Sequence, residues 1–398
     1  MTTTPIRPAH ATAWRNAVFA VFALNGLGAA TWAIRIPSIR DALELPTSWV
    51  GYLILGVSIG SIVGLLLASH IIQWFGGRRT IAITLAICAI ALVIIGVGTS
   101  TFGAFALVVA GMAVYGFGSA ICDVAMNVEG AAVEKVVGRT IMPLLHASWS
   151  AGMVIGTTIG TALVFAHVDV VWHAVGMAAL LAVGAVLAPR AIPRVATHAD
   201  TGEEVAHVPF ADRMAIWLEP RTLAIGLIAL GMAFTEGSAN DWLALGMVDD
   251  RGLDNGQGAA LFTVFTAAMM VGRIVGGPII DRFGRVPVLW VSGGAAAVGL
   301  ALVIFVPIIW VAVVGIVLWG LGASLGFPVA MSAAADDPAR AAARVSAVAT
   351  VGYCAFLVGP PLIGLVGEGV GILNALLIVF VLIVLATLAA PAARPPRG

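Results

Sequence analysis

Apolar residues run along this 398-residue chain in long unbroken stretches, separated by short clusters of charged residues, glycine or proline. A helix of about 20 apolar residues crosses a bilayer, whereas barrel strands are shorter and alternate apolar with polar positions. The stretches here do not alternate, so the pattern predicts membrane-spanning helices. The breaks place twelve of them at 14–36, 48–72, 80–98, 102–133, 143–166, 169–189, 221–247, 257–280, 286–306, 308–332, 342–366 and 369–390.

The two halves of the chain resemble each other. FGG at 75–77 matches FGR at 283–285, and GFGSAICDVAM at 116–126 resembles GLGASLGFPVAM at 320–331. In the first and seventh spans, Asn25 and Gly26 correspond to Glu236 and Gly237. The sequence therefore predicts an N-terminal six-helix half at 1–189, a linker at 190–220 and a C-terminal six-helix half at 221–398. Two such repeats are typical of transporters that rock one half against the other.

Composition supports a lipid environment and excludes several functions. The chain is 61% hydrophobic and 10% charged, against about 25% charged residues in soluble domains. The formal net charge is zero, and nothing indicates a nucleic-acid partner. The three cysteines lie in apolar stretches without a CxxC pair, so neither a disulfide framework nor a zinc site is expected. No G-x-x-x-x-G-K-[ST] or HExxH motif is present, so we expect no enzyme activity and no cofactor.

Basic residues are distributed unevenly over the predicted loops. Most of the 20 lysines and arginines fall on the side that holds both termini and the 190–220 linker. Only Arg35, Arg40 and Arg251 fall on the other side, and Arg273 lies inside a span. Positive residues favour the cytoplasmic side. We therefore expect a multi-pass protein of a bacterial plasma (inner) membrane with both termini in the cytoplasm.

A loop between the eighth and ninth spans carries a recognisable motif. GGPIIDRFGR at 276–285 resembles the signature loop of the major facilitator superfamily, G-x-x-x-D-R-x-G-R. The resemblance implies the twelve-helix major facilitator fold, in which Gly284 permits an unusual backbone angle and Asp281 pairs with arginines to hold one conformational state. It assigns the conformational latch to Asp281, Arg282, Gly284, Arg285 and Arg273. Arg273 is expected to snorkel or to pair with Asp281.

The first-half copy of this loop departs from the motif. SHIIQWFGGRR at 69–79 has Gln73 in place of the acid and Trp74 in place of the arginine. Asp281 would then act as a latch without a first-half counterpart. The alternative is that both loops are simple turns with positive charge on the cytoplasmic side.

Four further segments resemble the YbjJ-type branch of that superfamily, which is itself similar to fucose permease. They are NGLGAATWAIRIPSIRDAL (25–43), CDVAMNVEGAAVE (122–134), HASWSAG (146–152) and EGSANDW (236–242). The resemblance implies transport of sugars or similar polar solutes, commonly with protons. In fucose-permease-like proteins a fourth-helix carboxylate and an asparagine four residues later serve coupling. The matching positions here are Asp123 and Asn127.

Carboxylates inside spans are the main candidates for chemistry. Each costs about 2.5–3.5 kcal/mol on insertion scales, so each requires a reason. We expect Asp123 and Glu236 to serve proton coupling. For Asp123 the alternative is a buried acid that a neighbouring donor satisfies, without a proton cycle.

Polar and aromatic residues of the first, fourth and seventh spans are candidates for substrate binding. They are Asn25, Trp32, Asn127, Asn240, Asp241 and Trp242. For Asp241 and Trp242 the alternative is a position at the water interface, and for Trp32 it is packing. Gly152, Gly156 and Gly160 form a small-residue stripe that favours close helix packing.

The combined prediction is a secondary active transporter, not an enzyme, that moves a small polar solute together with H+ by alternating access. It is expected to act as a monomer in the lipid bilayer. The alternative is a proton-driven efflux antiporter for drugs or metabolites, and a receptor or membrane enzyme is a third reading. The sequence pattern does not distinguish import from export, or symport from antiport.

Overall fold

The computed structural model describes residues 8–138, 141–193, 216–336 and 340–395, and these residues form helices joined by short turns, with no strand among them. Most of the predicted linker at 190–220 lies outside the described residues. All backbone hydrogen bonds of a helix are made within one segment, which is what a span in hydrocarbon requires. The all-helical membrane fold predicted from the apolar stretches is confirmed.

The helices of the first half precede residue 194. They are α1 (Pro8–Ala33), α2 (Ile36–Ala42), α3 (Thr47–Ser100), α4 (Phe105–Val137), α5 (Met142–Phe165) and α6 (Val170–Leu187), followed by a 3₁₀ turn at Ala188–Ala191.

The second half begins with α7 (Pro220–Ser238), which continues through a π-helical turn (Ala239–Leu243) into α8 (Ala244–Asp249). The remaining helices are α9 (Asn255–Phe283), α10 (Arg285–Phe305), α11 (Ile309–Ala323), α12 (Gly326–Ala334), α13 (Ala341–Val370), α14 (Ile372–Ala375) and α15 (Leu377–Leu388), followed by a 3₁₀ turn at Ala390–Ala393.

The 54-residue helix α3 contains two membrane crossings. A straight helix of that length would measure about 80 Å, far more than the roughly 30 Å of a bilayer core. Its backbone is non-helical at Gly76, with φ 74° and ψ 157°. Ten helices of the described chain are long and apolar enough to span a membrane, and Ile372–Leu388 is a shorter apolar segment. With α3 divided at Gly76, this arrangement is consistent with twelve spans.

The equivalent turn of the second half has the same backbone conformation. Gly284, between α9 and α10, has φ 80° and ψ 165°, and its N–H donates to the Ile280 carbonyl at 2.8 Å. Residues other than glycine rarely adopt such a positive φ. The internal repeat predicted from FGG and FGR is therefore present in the backbone, and the unusual angle expected at Gly284 is confirmed.

The chain divides into two compact units. One consists of Met1–Leu45 and Tyr52–Gly202, and the other of Pro46–Gly51 and Glu203–Gly398. A hydrophobic core in the second unit is formed by buried residues such as Ile225, Met232, Leu289, Val329 and Val348. These residues belong to α7, α10, α12 and α13, so the apolar faces of four helices meet there.

Close packing of α1 against α5 organises the first unit. A Cβ atom added at Gly152 would overlap the main chain of Ala23, and one at Gly156 would lie 2.6 Å from the Ala30 Cβ. A Cβ at Gly160 would overlap the Ile34 side chain. Small residues allow helices in lipid to approach until their backbones touch. The glycine stripe is thus a packing surface, as the sequence predicted.

Replacing Gly152 by alanine should destabilise the first unit. The added methyl group meets main-chain atoms of α1, which move only if the helix moves, and such overpacking costs about 1–3 kcal/mol. Thermal unfolding in a fixed detergent measures the loss. Gly176→Ala is the matched control, because a Cβ at Gly176 of α6 has no atom within 4 Å. Equal stability of the two variants would contradict the proposed packing role.

Candidate functional site

A column of polar residues runs along one face of α4. Tyr115, Ser119, Asp123 and Asn127 are spaced four residues apart, which places them on one side of the helix. The Asn127 Nδ2 donates to the Asp123 main-chain oxygen at 2.8 Å and lies 3.3 Å from its Oδ1. Asp123 is half-buried and forms no ion pair with any described basic residue. The predicted proximity of Asp123 and Asn127 is therefore present.

Asn25 joins three helices of the first unit. The Trp149 Nε1 of α5 donates to its Oδ1 at 3.0 Å, and its Nδ2 points to the Ser119 Oγ of α4 at 3.4 Å. The side chain is buried. Both ends of the amide therefore have protein partners, and substrate binding by Asn25 stays a prediction. The sequence could not show this, because Trp149 is distant along the chain and its orientation depends on the helix packing.

Trp32 lies inside the first unit rather than on an open surface. Its ring meets Tyr115 edge-on, with centroids 6.2 Å apart. Only 9% of the residue is exposed, and the Nε1 is buried without a hydrogen-bond partner among the described residues. The ring is therefore packed against α4, so the alternative reading of Trp32 describes the observed contacts.

An ion pair lies inside the second unit, between α7 and α9. The Arg273 Nη2 lies 2.9 Å from the Glu236 Oε1 and 2.8 Å from its Oε2. The side chains are only 20% and 15% exposed, respectively. The expectation that Arg273 snorkels or pairs with Asp281 is thus corrected. Opposite charges in two consecutive spans were the available signal, since charges within a membrane tend to pair.

The helix that carries Glu236 changes its winding one residue after Ser238. The π-helical turn Ala239–Leu243 contains Asn240, Asp241 and Trp242. Such turns add a residue to the helix and are frequent at functional sites. The Asn240 Oδ1 is buried without a hydrogen-bond partner among the described residues. Asp241 is half-buried.

Trp242 belongs to the core of the second unit. It is fully buried, and its ring lies against Gly364 of α13, where an added Cβ would be 3.1 Å from the Cη2. Neither face of the ring is open to a ligand or to the membrane interface. The structure therefore corrects both readings of Trp242, as a sugar platform and as an interfacial anchor.

The residues of the signature loop have different surroundings. Asp281 is exposed and has no hydrogen bond or ion pair within the described ranges. The Arg282 guanidinium lies over the Phe283 ring, 5.3 Å from its centroid. The Arg285 Nη1 pairs with the Asp336 Oδ1 at 2.7 Å. The last arginine of the motif is thus engaged, and the latch role of Asp281 remains a prediction.

A carboxylate follows α12 and binds two arginines, which the sequence analysis missed. The Asp336 Oδ2 pairs with the Arg221 Nη2 at 2.7 Å, while its Oδ1 pairs with Arg285. Arg221 also donates to the carbonyl oxygens of Ala392 and Arg394. This network connects the start of α7 to the start of α10 and to the end of the described chain. No short-range pattern connects these positions in sequence.

In the first unit, a carboxylate near the glycine turn is bound by a tryptophan rather than by arginines. The Trp14 Nε1 of α1 donates to the Glu129 Oε2 of α4 at 3.1 Å, and Glu129 is buried. A Cβ added at Gly77 would overlap the Glu129 Oε1. Gly77 occupies the motif position that Arg285 occupies in the second half. The carboxylate of Glu129 thus occupies the space that the Cβ of an arginine at position 77 would fill.

Glu219, the residue before α7, is a second carboxylate that binds two arginines. The Glu219 Oε1 pairs with the Arg340 Nη1 at 2.7 Å, and the Oε2 with the Arg344 Nε at 2.8 Å. The hydrogen bond from Arg344 lowers the pKa of Glu219 below its ordinary value. These contacts connect α7 to the beginning of α13.

No group of three or more histidine, cysteine, aspartate or glutamate residues with the geometry of a metal site occurs within the described ranges. The intramembrane polar groups are instead distributed as the α4 column in the first unit and as Glu236, Arg273 and the π-helical turn in the second.

Known proteins resemble the chain over nearly its whole length. An uncharacterized MFS-type transporter of Yersinia pestis is 29% identical over 382 residues, which is 94% of each chain. The membrane protein MosC of Rhizobium meliloti is 27% identical, over 92% of this chain and 86% of that protein.

Solved transporter structures share the fold. The nucleoside transporter NupG superposes with a TM-score of 0.75 at 16% identity, over 98% of this chain and 100% of that one. The Escherichia coli fucose:proton symporter FucP (N162A) gives a TM-score of 0.65 at 15% identity, over 96% and 98% of the two chains.

The family model described as Major Facilitator Superfamily matches residues 139–354 and 240–398. Together with the glycine turns repeated at Gly76 and Gly284, this match shows that the chain is a membrane transporter that belongs to the Major Facilitator Superfamily.

Proposed function

We propose that this transporter couples the movement of a small polar solute, a sugar or a sugar-like compound, to the movement of protons. The observation that carries the proposal is the Asp123–Asn127 pair inside α4, a carboxylate whose described partner is an amide rather than a cation. We further propose that the protein acts as a monomer in a bacterial inner membrane with both termini in the cytoplasm. A C-terminal reporter that fluoresces only in the cytoplasm checks the orientation.

Asp123 is the proposed proton carrier. A charged carboxylate inside a span costs about 2.5–3.5 kcal/mol on insertion scales. Protonation removes that charge, and the Asn127 amide beside it can remain hydrogen-bonded to the main-chain oxygen in either state. The residue can therefore alternate between two protonation states without a rearrangement of its own helix.

Glu236 has a different position in the proposal. Arg273 balances its charge, so proton binding at Glu236 requires that the ion pair weakens first. The carboxylate oxygens and the unpartnered Asn240 Oδ1 are acceptors for hydroxyl groups. We assign Glu236 and Asn240 to solute binding, with Glu236 as a second proton acceptor once Arg273 is released.

Structural neighbours support a hydroxyl-bearing solute. One neighbour is a nucleoside transporter and another is a fucose:proton symporter, which has a proton as co-substrate. These similarities concern the fold, so the solute class for this chain depends on the residues described above and on a direct test.

Thermal unfolding of the purified protein in detergent, with sugars, polyols, nucleosides, amino acids and lipophilic cations at two pH values, tests the proposal. A ligand that binds only the folded state raises the melting temperature by mass action. We expect stabilisation by a hydroxyl-rich solute, followed by its uptake into reconstituted vesicles. Stabilisation by lipophilic cations alone would contradict the proposal and favour efflux.

Asp123→Asn should abolish accumulation driven by a pH gradient and retain solute exchange at equal pH. The amide preserves the shape of the side chain but cannot carry a proton. Vesicle uptake with and without a gradient, compared with counterflow, measures the two activities. Asp254→Asn is the matched control, because that carboxylate is an exposed helix cap which asparagine can replace. Full gradient-driven uptake by Asp123→Asn would overturn the coupling role.

Removing one partner of the ion pair between α7 and α9 should lower the free energy of unfolding more than removing both partners does. Glu236→Gln leaves the Arg273 charge in a poorly solvated place, at a cost of about 3 kcal/mol in the free energy of unfolding. The double variant Glu236→Gln with Arg273→Gln should regain much of that stability. A double-mutant cycle by thermal unfolding measures the coupling energy. Additive effects would show that the two residues do not stabilise each other.

A further inference from the structure

A buried hydrogen bond joins α11 to α7 just before the π-helical turn. The Trp319 Nε1 of α11 donates to the main-chain carbonyl oxygen of Thr235 at 3.2 Å. Both residues are fully buried. Thr235 directly precedes Glu236, so this bond reaches the backbone of α7 beside the carboxylate that pairs with Arg273.

The bond lies where the regular winding of α7 stops. In an α-helix each N–H donates to the carbonyl four residues back, so the regular partner of the Thr235 carbonyl is the Ala239 N–H. The Ala239 N–H instead donates to the Glu236 carbonyl, three residues back, and the π-helical turn begins at Ala239. Trp319 therefore supplies a donor to the carbonyl whose regular helical partner has turned elsewhere.

The surroundings of Thr235 make this donor important. The residue is fully buried, so bulk water does not reach it. Its own hydroxyl donates to the Gly231 carbonyl at 2.6 Å and is already engaged. Buried carbonyl groups nearly always have a hydrogen-bond partner, because leaving one without a partner is costly. The bond from Trp319 thus stabilises the irregular winding relative to a regular α-helix.

Trp319 is itself held in place by two neighbouring helices. Its ring meets the Phe265 ring of α9 edge-on, with centroids 5.4 Å apart. A Cβ added at Gly320 would lie 2.6 Å from the Phe265 carbonyl oxygen, and one at Gly299 of α10 would lie 2.5 Å from the Trp319 main-chain nitrogen. The backbone of α11 is therefore in close contact with α9 and α10, and the direction of the indole N–H is fixed.

We propose that Trp319 is a positioning residue for solute binding, which acts by keeping α7 in its π-helical winding. The extra residue of such a turn rotates the helix that follows by about 100° relative to a regular α-helix. The winding thus sets the placement of Asn240, inside the turn, relative to Glu236 before it. The inference rests on the proposed function, in which these two residues bind the solute.

A cysteine reporter in the turn tests the winding without a solute. Cys354→Ala with Asn240→Cys leaves position 240 as the half-buried thiol, since Cys88 and Cys122 are buried. The probe is N-ethylmaleimide. Trp319→Phe keeps an aromatic ring but removes the N–H, so the labelling rate at position 240 should change about tenfold, the effect of one hydrogen bond on the balance between two windings. Equal labelling rates with and without Trp319→Phe would overturn the proposal.

Phe265→Leu is the matched control for packing. It removes the ring that Trp319 meets but keeps the indole N–H, so it should lower the melting temperature and leave the labelling rate unchanged. The same change of rate in both variants would refute the role of the hydrogen bond. If Trp319→Phe does not fold, benzothienylalanine at position 319 keeps the shape of the indole and replaces only the N–H by sulfur, and the same outcomes decide.

Solute affinity separates this inference from the proposed function. Thermal unfolding is repeated for Trp319→Phe with the sugars, polyols and nucleosides used for the wild-type protein. The concentration for half-maximal stabilisation should rise about tenfold. A solute that stabilises the wild type and Trp319→Phe at the same concentration would contradict the positioning role alone. Failure of all these compounds to stabilise the wild type would contradict the proposed function, and with it the role of Trp319 in solute binding.

Discussion

Polar groups within a membrane must find partners inside the protein, and most of this structure follows from that requirement. The backbone meets it by forming helices. Side chains meet it through pairs such as Glu236 with Arg273 and Trp149 with Asn25. The Asn240 Oδ1 has no partner among the described residues, and in the proposed function the solute supplies the missing donor.

The sequence predicted the fold well because the relevant signals are local. Length and hydropathy define a span, a glycine with positive φ defines the turn at Gly284, and a four-residue spacing places Asn127 beside Asp123. The small-residue stripe at Gly152, Gly156 and Gly160 likewise predicts close packing, since only small side chains allow it. Each of these inferences uses residues that are neighbours along the chain.

The candidate site was harder to predict because it depends on contacts between distant helices. Nothing near Asn25 in sequence shows that Trp149 and Ser119 occupy its amide. Trp242 has an amphipathic side chain suited to an interface or a sugar, yet the packing of α13 buries it. Arg273 was assigned to the nearest acid on its own helix, whereas its partner Glu236 lies on the preceding transmembrane helix.

A carboxylate lies near the glycine turn in each half of the repeat, but the contacts of the two carboxylates differ. In the second unit, Asp336 is held by the charges of Arg221 and Arg285, and charged contacts weaken as salt is added. In the first unit, Glu129 is held by the neutral indole of Trp14 beside Gly77, a contact without net attraction between opposite charges. The carboxylate in the second unit is therefore held by ion pairs, whereas the one in the first unit is held by a neutral hydrogen-bond donor. Added salt therefore weakens the contacts of Asp336 more than the contact between Glu129 and Trp14.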